Sequence, residues 1–323
     1  MWLNLRIFPI QTPQGVRLMQ VPTTQPTGRP GQPSPLRLAH LVNVFVPTPG
    51  SEFEWVQPIT LESMRRARTA TLGNISVELL TAQFPQDRPA IPTDFRATPD
   101  LDRSVREVWN NPSLPPFPIF VDLLQRLYEN SEADYLIYTN LDIAVQPHFY
   151  ESVAQFIRAG HDAFIINRRR LPGHYRSISE LPAMYADKGK SHPGFDCFVF
   201  KRELFPKFVL GNVCIGIPFI EILMGQNLFC HALNFKLFDN EFLTFHIGED
   251  IFKPRNPILL QNNRAEFRKA VEELWPLLDN RKFPYADKWI LARWLKWGLH
   301  PCIPIRLCLN LELKKIIKKS PRR

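Results

Sequence analysis

Two side chains that could do chemistry stand two residues apart where an apolar run ends. Residues 134–150 are DYLIYTNLDIAVQPHFY, in which YLIY stops at Asn140 and Asp142. A carboxylate at a strand end beside an open crevice suits a hard divalent cation. Mg2+ or Mn2+ takes one or two protein oxygens and keeps positions for diphosphate oxygens and water. Asp142 can supply one such oxygen. Asn140 adds no charge, but its amide can bond a ribose or sugar hydroxyl. The same spacing also serves to cap a turn ahead of the next helix.

Three further stretches carry chemical potential, each with a plainer alternative. In HPGFDCFVFKRELF (residues 192–205), Gly194 allows a close approach to the backbone and Asp196 can bond a hydroxyl; equally, Gly194 shapes a turn and Asp196 bonds nearby backbone. Glu221 lies in the apolar stretch GIPFIEILM. Buried alone it would be a strong base; paired with an Arg or a backbone N–H it would be structural. His246 follows the strand-like FLTFH, as a ligand or as a structural imidazole.

The elements that must position these groups alternate. Apolar strand patterns cover 38–47 (LAHLVNVFVP) and 75–84, and DYLIY and DAFIINRRR follow the same pattern. Helical patterns fall at 59–71, with Thr60 as N-cap, and at 119–131, 148–160, 217–232 and 264–278. Residues 171–191 form a polar loop. This alternation predicts an α/β fold with a mostly parallel central sheet. In such sheets ligands sit at the carboxyl ends of strands, which is where residues 139–142 fall. Arg65, Arg66 and Arg68 on the first helix, and Arg168, Arg169 and Arg170 at a strand end, could bind diphosphate, although most such runs are solvated.

Residues 38–250 resemble the GT-A family of nucleotide-sugar glycosyltransferases. In that family an apolar strand ends in a DxD motif followed by apolar residues, a proline and a helix. Here the pattern is YLIYTNLDIAVQPHFY, with Asn140 in place of the first acid. The resemblance implies a GT-A-like fold and transfer of a sugar from a nucleotide-diphosphate donor to a hydroxyl of a glycan or lipid-linked acceptor. It also implies Mn2+ or Mg2+ held by Asp142, with His246 as a second ligand. Donor contacts would come from Pro47 and Thr48 in VFVPTPG, from Asp87 after the second strand, and from Asn140, Asp142 and Gly194. Asp196 and Glu221 would bind or deprotonate the acceptor. A nucleotidyltransferase on a similar sheet is the nearest alternative, but VPTPGSEFEW lacks the lysine and the glycines of its usual loop. A non-enzymatic protein with a degenerate transferase body, binding membrane or nucleic acid through its tail, is another.

The chain has 323 residues and a formal net charge of +9, enough for a sizeable core. Residues 281–323 hold twelve of the forty Lys/Arg and two of the thirty-one Asp/Glu. The body is therefore close to neutral, which argues against a nucleic-acid binder. Five scattered cysteines without a metal spacing suit a reducing, cytoplasmic setting. The N-terminus lacks a signal-peptide pattern, and no apolar run is long enough to span a bilayer. Residues 1–37 are Pro-rich and expected to be disordered, 38–260 catalytic, and 261–323 a helical, basic, amphipathic tail. Its Trp289, Trp294, Trp297, leucines and lysines suit an anionic membrane surface through 288–323, making the enzyme peripheral on the inner membrane face. The alternative packs those tryptophans on the body.

Overall fold

The structure, a computed structural model, describes residues 6–12, 15–21, 34–248 and 256–319. It contains two compact units, Met1–Ser34 and Pro35–Arg323. In the first, β1 (Arg6–Thr12) and β2 (Gly15–Val21) pair as an antiparallel hairpin, with Thr12 opposite Gly15. This pairing falls within the segment expected to be a disordered leader. The rest of that segment up to residue 33, together with Asp250 and residues 320–323 of the basic tail, lies outside the described residues.

The second unit opens with β3 (Leu36–Asn43), α1 (Phe53–Ala70), β4 (Ile75–Ala82) and β5 (Arg96–Ala97). It continues through α2 (Val105–Val108), α3 (Phe120–Glu129), β6 (Tyr135–Thr139), β7 (Ile143–Val145), α4 (Phe149–Arg158) and β8 (Ala163–Arg170). Then come α5 (Leu181–Ala186), β9 (Lys190–Lys201), α6 (Ile220–His231), β10 (Phe235–Phe238) and β11 (Thr244–His246). Three helices close the chain: α7 (Pro257–Leu274), α8 (Ile290–Leu299) and α9 (Ile305–Lys319). The strands form one sheet in the order β5-β4-β3-β6-β9-β8-β11-β7, with β10 also on β8. Pairing is parallel except for β6 with β9, β8 with β9, and β7 with β11. This is the mostly parallel α/β sheet flanked by helices that the alternation predicts.

Both faces of the sheet are covered, so the central strands are apolar at successive positions rather than at alternate ones. On β6, Tyr135 and Ile137 face one cluster with Leu61, Met64 and Val153, while Leu136 and Tyr138 face the other with Leu123, Leu127 and Leu223. The second cluster also takes in Trp297, Leu307 and Leu311, so α8 and α9 contribute to the core of this unit. All five cysteines are free thiols.

Local propensity misplaces two elements. Helix α1 starts at Phe53, ahead of Pro58, and Thr60 is buried inside it instead of capping it. Phe53 and Val56 pack with Ala144, Phe245 and Ile247, and that contact outweighs the proline penalty. The expected loop at 171–191 contains α5. Buried Arg169 holds it, donating to the carbonyls of Met184 (2.9 Å) and Tyr185 (3.3 Å) with its guanidinium 5.3 Å from the Phe245 ring centre.

His40, fully buried on β3, has Nδ1 2.9 Å from the Tyr150 hydroxyl and Nε2 2.9 Å from the Thr139 hydroxyl. Burial pushes its pKa down to about 3 from 6.5. The folded chain thus refuses a proton that the unfolded chain accepts. The resulting stability is complete above about pH 6.5 and falls as the pH drops toward 3, by up to about 1.4 kcal/mol per pH unit. Urea unfolding from pH 7 to pH 4.5 should show a steeper loss for the wild type than for His40→Gln. Parallel slopes would assign acid sensitivity to other groups.

Candidate active site

The strand ends bring the sequence candidates to one side of the sheet. β3 and β6 are parallel, with Leu41 opposite Tyr138, so the segment after β3 and the Asn140–Asp142 turn leave the sheet at the same level. The backbone N–H of Ile143 closes that turn on the Asn140 carbonyl at 3.1 Å. The chain then enters β7, which runs antiparallel to β11 with Ile143 opposite His246. This register places His246 against Asp142: the Ile247 N–H donates to the Asp142 carbonyl at 3.0 Å, and His246 Nε2 lies 3.2 Å from Asp142 Oδ2.

Burial of the Asp142 carboxyl pushes its pKa up. The hydrogen bond and charge of His246, together with the charge of Arg168, outweigh that effect and leave it below its ordinary value. Its other oxygen, Oδ1, is shielded from water and has no hydrogen-bond partner. A carboxylate oxygen left over in this way can accept a cation, although other buried polar atoms among the described residues, such as Asn167 Oδ1, are left over as well. The donor set, one carboxylate and one imidazole, fits Mn2+ or Mg2+ completed by diphosphate oxygens and water. Among the described residues no group of three or more His, Cys, Asp or Glu is placed to hold a metal. Asn140 Oδ1 accepts from the Tyr138 hydroxyl at 3.1 Å, which fixes the amide.

Asp196 approaches from β9, whose Cys197 pairs with Thr139. Its side chain is buried, and Oδ1 accepts from Arg168 Nη1 at 2.7 Å. The β8–β9 register shifts around Asn167, and this irregularity adjoins Arg168. Gly194 sits above the pair, its N–H donating to His192 Nδ1 at 2.9 Å. A Cβ on Gly194 would stand 2.5 Å from His192 Cε1 and 3.4 Å from Asp196 Oδ2, so only glycine fits without moving the ring.

Glu221 lies half-buried in the first turn of α6. The residue before that helix, Phe219, has φ 100°, a left-handed conformation that costs a bulky residue of order 1–3 kcal/mol. Its ring stacks on Phe267 with centres 5.1 Å apart. Glu221 shares the neighbourhood of Asp142 and Asp196. Burial first, then the charges of Asp142 and Glu221, push the Tyr138 hydroxyl far up. Burial first, then the charges of Glu221 and Asp196, do the same to the Cys302 thiol.

Beyond the end of β3, buried Asp87 accepts from the Val46 N–H at 2.9 Å, and Gln57 holds both the N–H and the C=O of Phe45 (3.3 and 3.1 Å). Burial pushes the Asp87 carboxyl up, with the Val46 N–H opposing it. These ties anchor the segment carrying half-buried Pro47 and exposed Thr48. Asp87 is thereby committed in part to its own backbone.

The arginine runs behave differently from the sequence expectation. Arg65 and Arg68 pair with Asp94, and Arg66 pairs with Glu62. Arg168, Arg169 and Arg170, expected to be mostly solvated, are buried or half-buried. The partnership of Arg168 with Asp196 was not legible in the sequence, since it depends on the register of two strands. Nor was the arrival of the 300–302 corner. There His300 packs 5.1 Å from the Phe195 ring and accepts the Cys302 N–H on Nδ1 at 3.1 Å.

No protein-family model and no curated protein matches the chain. Among solved structures, Staphylococcus aureus TarS 1–349 in complex with UDP-GlcNAc aligns over 84% of this chain and 82% of its own, with 9% identity and a TM-score of 0.48. Mycobacterium tuberculosis glucosyl-3-phosphoglycerate synthase in complex with Mn2+, UDP-glucose and phosphoglyceric acid aligns over 78% and 87%, with 13% identity and a TM-score of 0.43. At these scores neither likeness carries an argument about the chemistry of this chain, which rests on its own residues.

Proposed function

We propose that the protein is a glycosyltransferase that moves a sugar from a nucleotide-diphosphate donor to a hydroxyl of a glycan or lipid-linked acceptor. The observation that carries this reading is the Asp142–His246 pair at a strand end, with Asp142 Oδ1 left without a partner and a buried Arg168–Asp196 pair beside it.

Asp142 and His246 would hold Mn2+ or Mg2+, which supplies charge neutralisation for the departing nucleotide diphosphate. Asn140, oriented by Tyr138, presents its amide N–H groups to a donor hydroxyl. Thr48 and Pro47 border the nucleotide, on a segment held by Asp87 and Gln57. Gly194, whose missing side chain makes room for the His192 ring, would border the donor sugar through its backbone. Asp196, ion-paired with Arg168, is suited to accept a hydrogen bond from the acceptor and orient it. We assign Glu221 to take the acceptor's proton as the new glycosidic bond forms.

Thermal unfolding against a panel of nucleoside diphosphates and nucleotide sugars, with and without Mn2+, tests this. A true donor raises the melting temperature by mass action, worth about 2.7 kcal/mol at a hundred times its Kd. A shift confined to one base and dependent on Mn2+ supports both the donor and the cation. An equal shift without metal removes the cation from the proposal. The absence of any shift at saturating concentrations rejects the transferase.

A further inference from the structure

Helices α8 and α9 each carry two apolar faces. One faces the core: Trp297, Leu307, Cys308 and Leu311 are buried, and Trp297 Nε1 donates to the Pro284 carbonyl at 2.5 Å. The expectation that the tryptophans meet lipid therefore fails for Trp297, and Trp294 is half-buried against Trp297. The opposite face is aliphatic and exposed. On α8 it consists of Leu291, Leu295 and Leu299, which are 64–75% exposed. On α9 it consists of Ile305, Leu309, Leu313, Ile316 and Ile317, which are 46–72% exposed. Steps of three and four residues keep each set on one side of its helix. The two stripes meet at the corner between the helices, where a Cβ on Gly298 would stand 3.3 Å from Ile305 Cδ1. A run of exposed leucines and isoleucines across two helices is far more than scattered surface residues.

The charges around this face point to its occupant. Lys288, Lys296 and Arg306 are exposed on the same two helices and their approach, in the segment that carries the net positive charge of the chain, whereas Lys314 and Lys315 turn back to Trp275 and Asn280. A second copy would bring like charge against like charge. An anionic lipid surface satisfies both the aliphatic stripe and the cations. No helix among the described residues is long and apolar enough to cross a membrane, so the pair would lie in the interface.

We propose that the outward faces of α8 and α9 form a docking surface for anionic lipid headgroups and the acyl chains beneath them. The residues of this surface are none of those named in the strand-end site, and the proposal stands whether or not the transferase reading holds.

Flotation of the full chain with phosphatidylcholine vesicles, with and without phosphatidylglycerol, tests it. The wild type should float with the anionic vesicles and detach as salt is raised. A variant combining Leu295→Gln, Leu309→Gln and Ile316→Gln removes side chains from the exposed face only. It should keep the wild-type urea midpoint and lose roughly tenfold or more in partitioning for each side chain withdrawn from lipid. A second variant, Lys296→Gln with Arg306→Gln, should weaken the preference for anionic over neutral vesicles by roughly tenfold or more while keeping the apolar stripe. The proposal falls if the wild type ignores anionic vesicles at low salt, or if the triple variant floats as well as the wild type. It also falls if light scattering shows a dimer that the triple variant splits while neither protein binds vesicles.

Discussion

Asp142→Asn should lower sugar transfer by about 10²–10³-fold, the loss typical of removing one electrostatic group aimed at developing charge. The substitution keeps the shape of the side chain and removes its charge. In the folded protein that charge is favoured: despite burial, His246 and Arg168 hold the carboxyl below its ordinary pKa. Its stabilising contribution is therefore present above the ordinary carboxylate range and lost as the pH falls through the folded value. The side chain as a whole is 30% exposed although Oδ1 is covered, and its ion pair is with His246 at 3.2 Å, so solvent screening should keep the stability change on going to Asn within about 1 kcal/mol. Turnover with a fixed donor, measured beside urea unfolding, separates the two roles. A large loss of turnover at nearly constant stability marks Asp142 as part of the active site. Unchanged turnover rejects it, and a drop of several kcal/mol in stability would make it a structural carboxylate.

Arg168→Met should be the most destabilising single change in the site, by about 3–5 kcal/mol, because it takes the guanidinium from a buried carboxylate and leaves the more distant His192 imidazole, 3.9 Å away, beside it. The Asp196 side chain is 5% exposed and that of Arg168 14% exposed, with Nη1 2.7 Å from Oδ1. Removing the charge on the other side as well, in Arg168→Met with Asp196→Asn, should recover much of the loss, giving a strong coupling in a double-mutant cycle. Strict additivity, within about 0.5 kcal/mol, would show that the two charges are compensated elsewhere. On the proposed function the pair would also position Asp196 toward the acceptor. Variants mild enough to fold, such as Arg168→Lys, should raise the acceptor KM more than they lower kcat, since a lysine ammonium on its shorter stem would not stand where Arg168 Nη1 meets Asp196 Oδ1.

The same contrast between local and distant causes runs through the fold. Helices α3 and α4 lie within two residues of where their 3.6-residue periodicity puts them, because each buries one face against the sheet. β3, β4 and β6 follow from apolar runs closed by polar or Pro-rich segments. Such features depend on neighbours a few positions apart, and the sequence displays them directly. That Asn140 and Asp142 stand at the end of a strand is legible for the same reason.

What the tertiary structure alone decided depends on contacts between distant segments. β11 is three residues long, too short to announce its register, yet its pairing with β7 and β8 is what brings His246 beside Asp142. Arg168 reads as one of three consecutive arginines; the register of β8 against β9 gives it Asp196, while Arg169 turns to the α5 carbonyls. The last two helices look like a detachable basic amphipathic tail, because their amphipathic pattern does not say which apolar face is covered. Packing chose the face with Trp297 and Leu311 for the core and left Leu295, Leu309 and Ile316 in solvent. Periodicity can place an apolar residue on a face. Only the rest of the chain decides what that face meets, because burial is a property of the neighbour as much as of the residue.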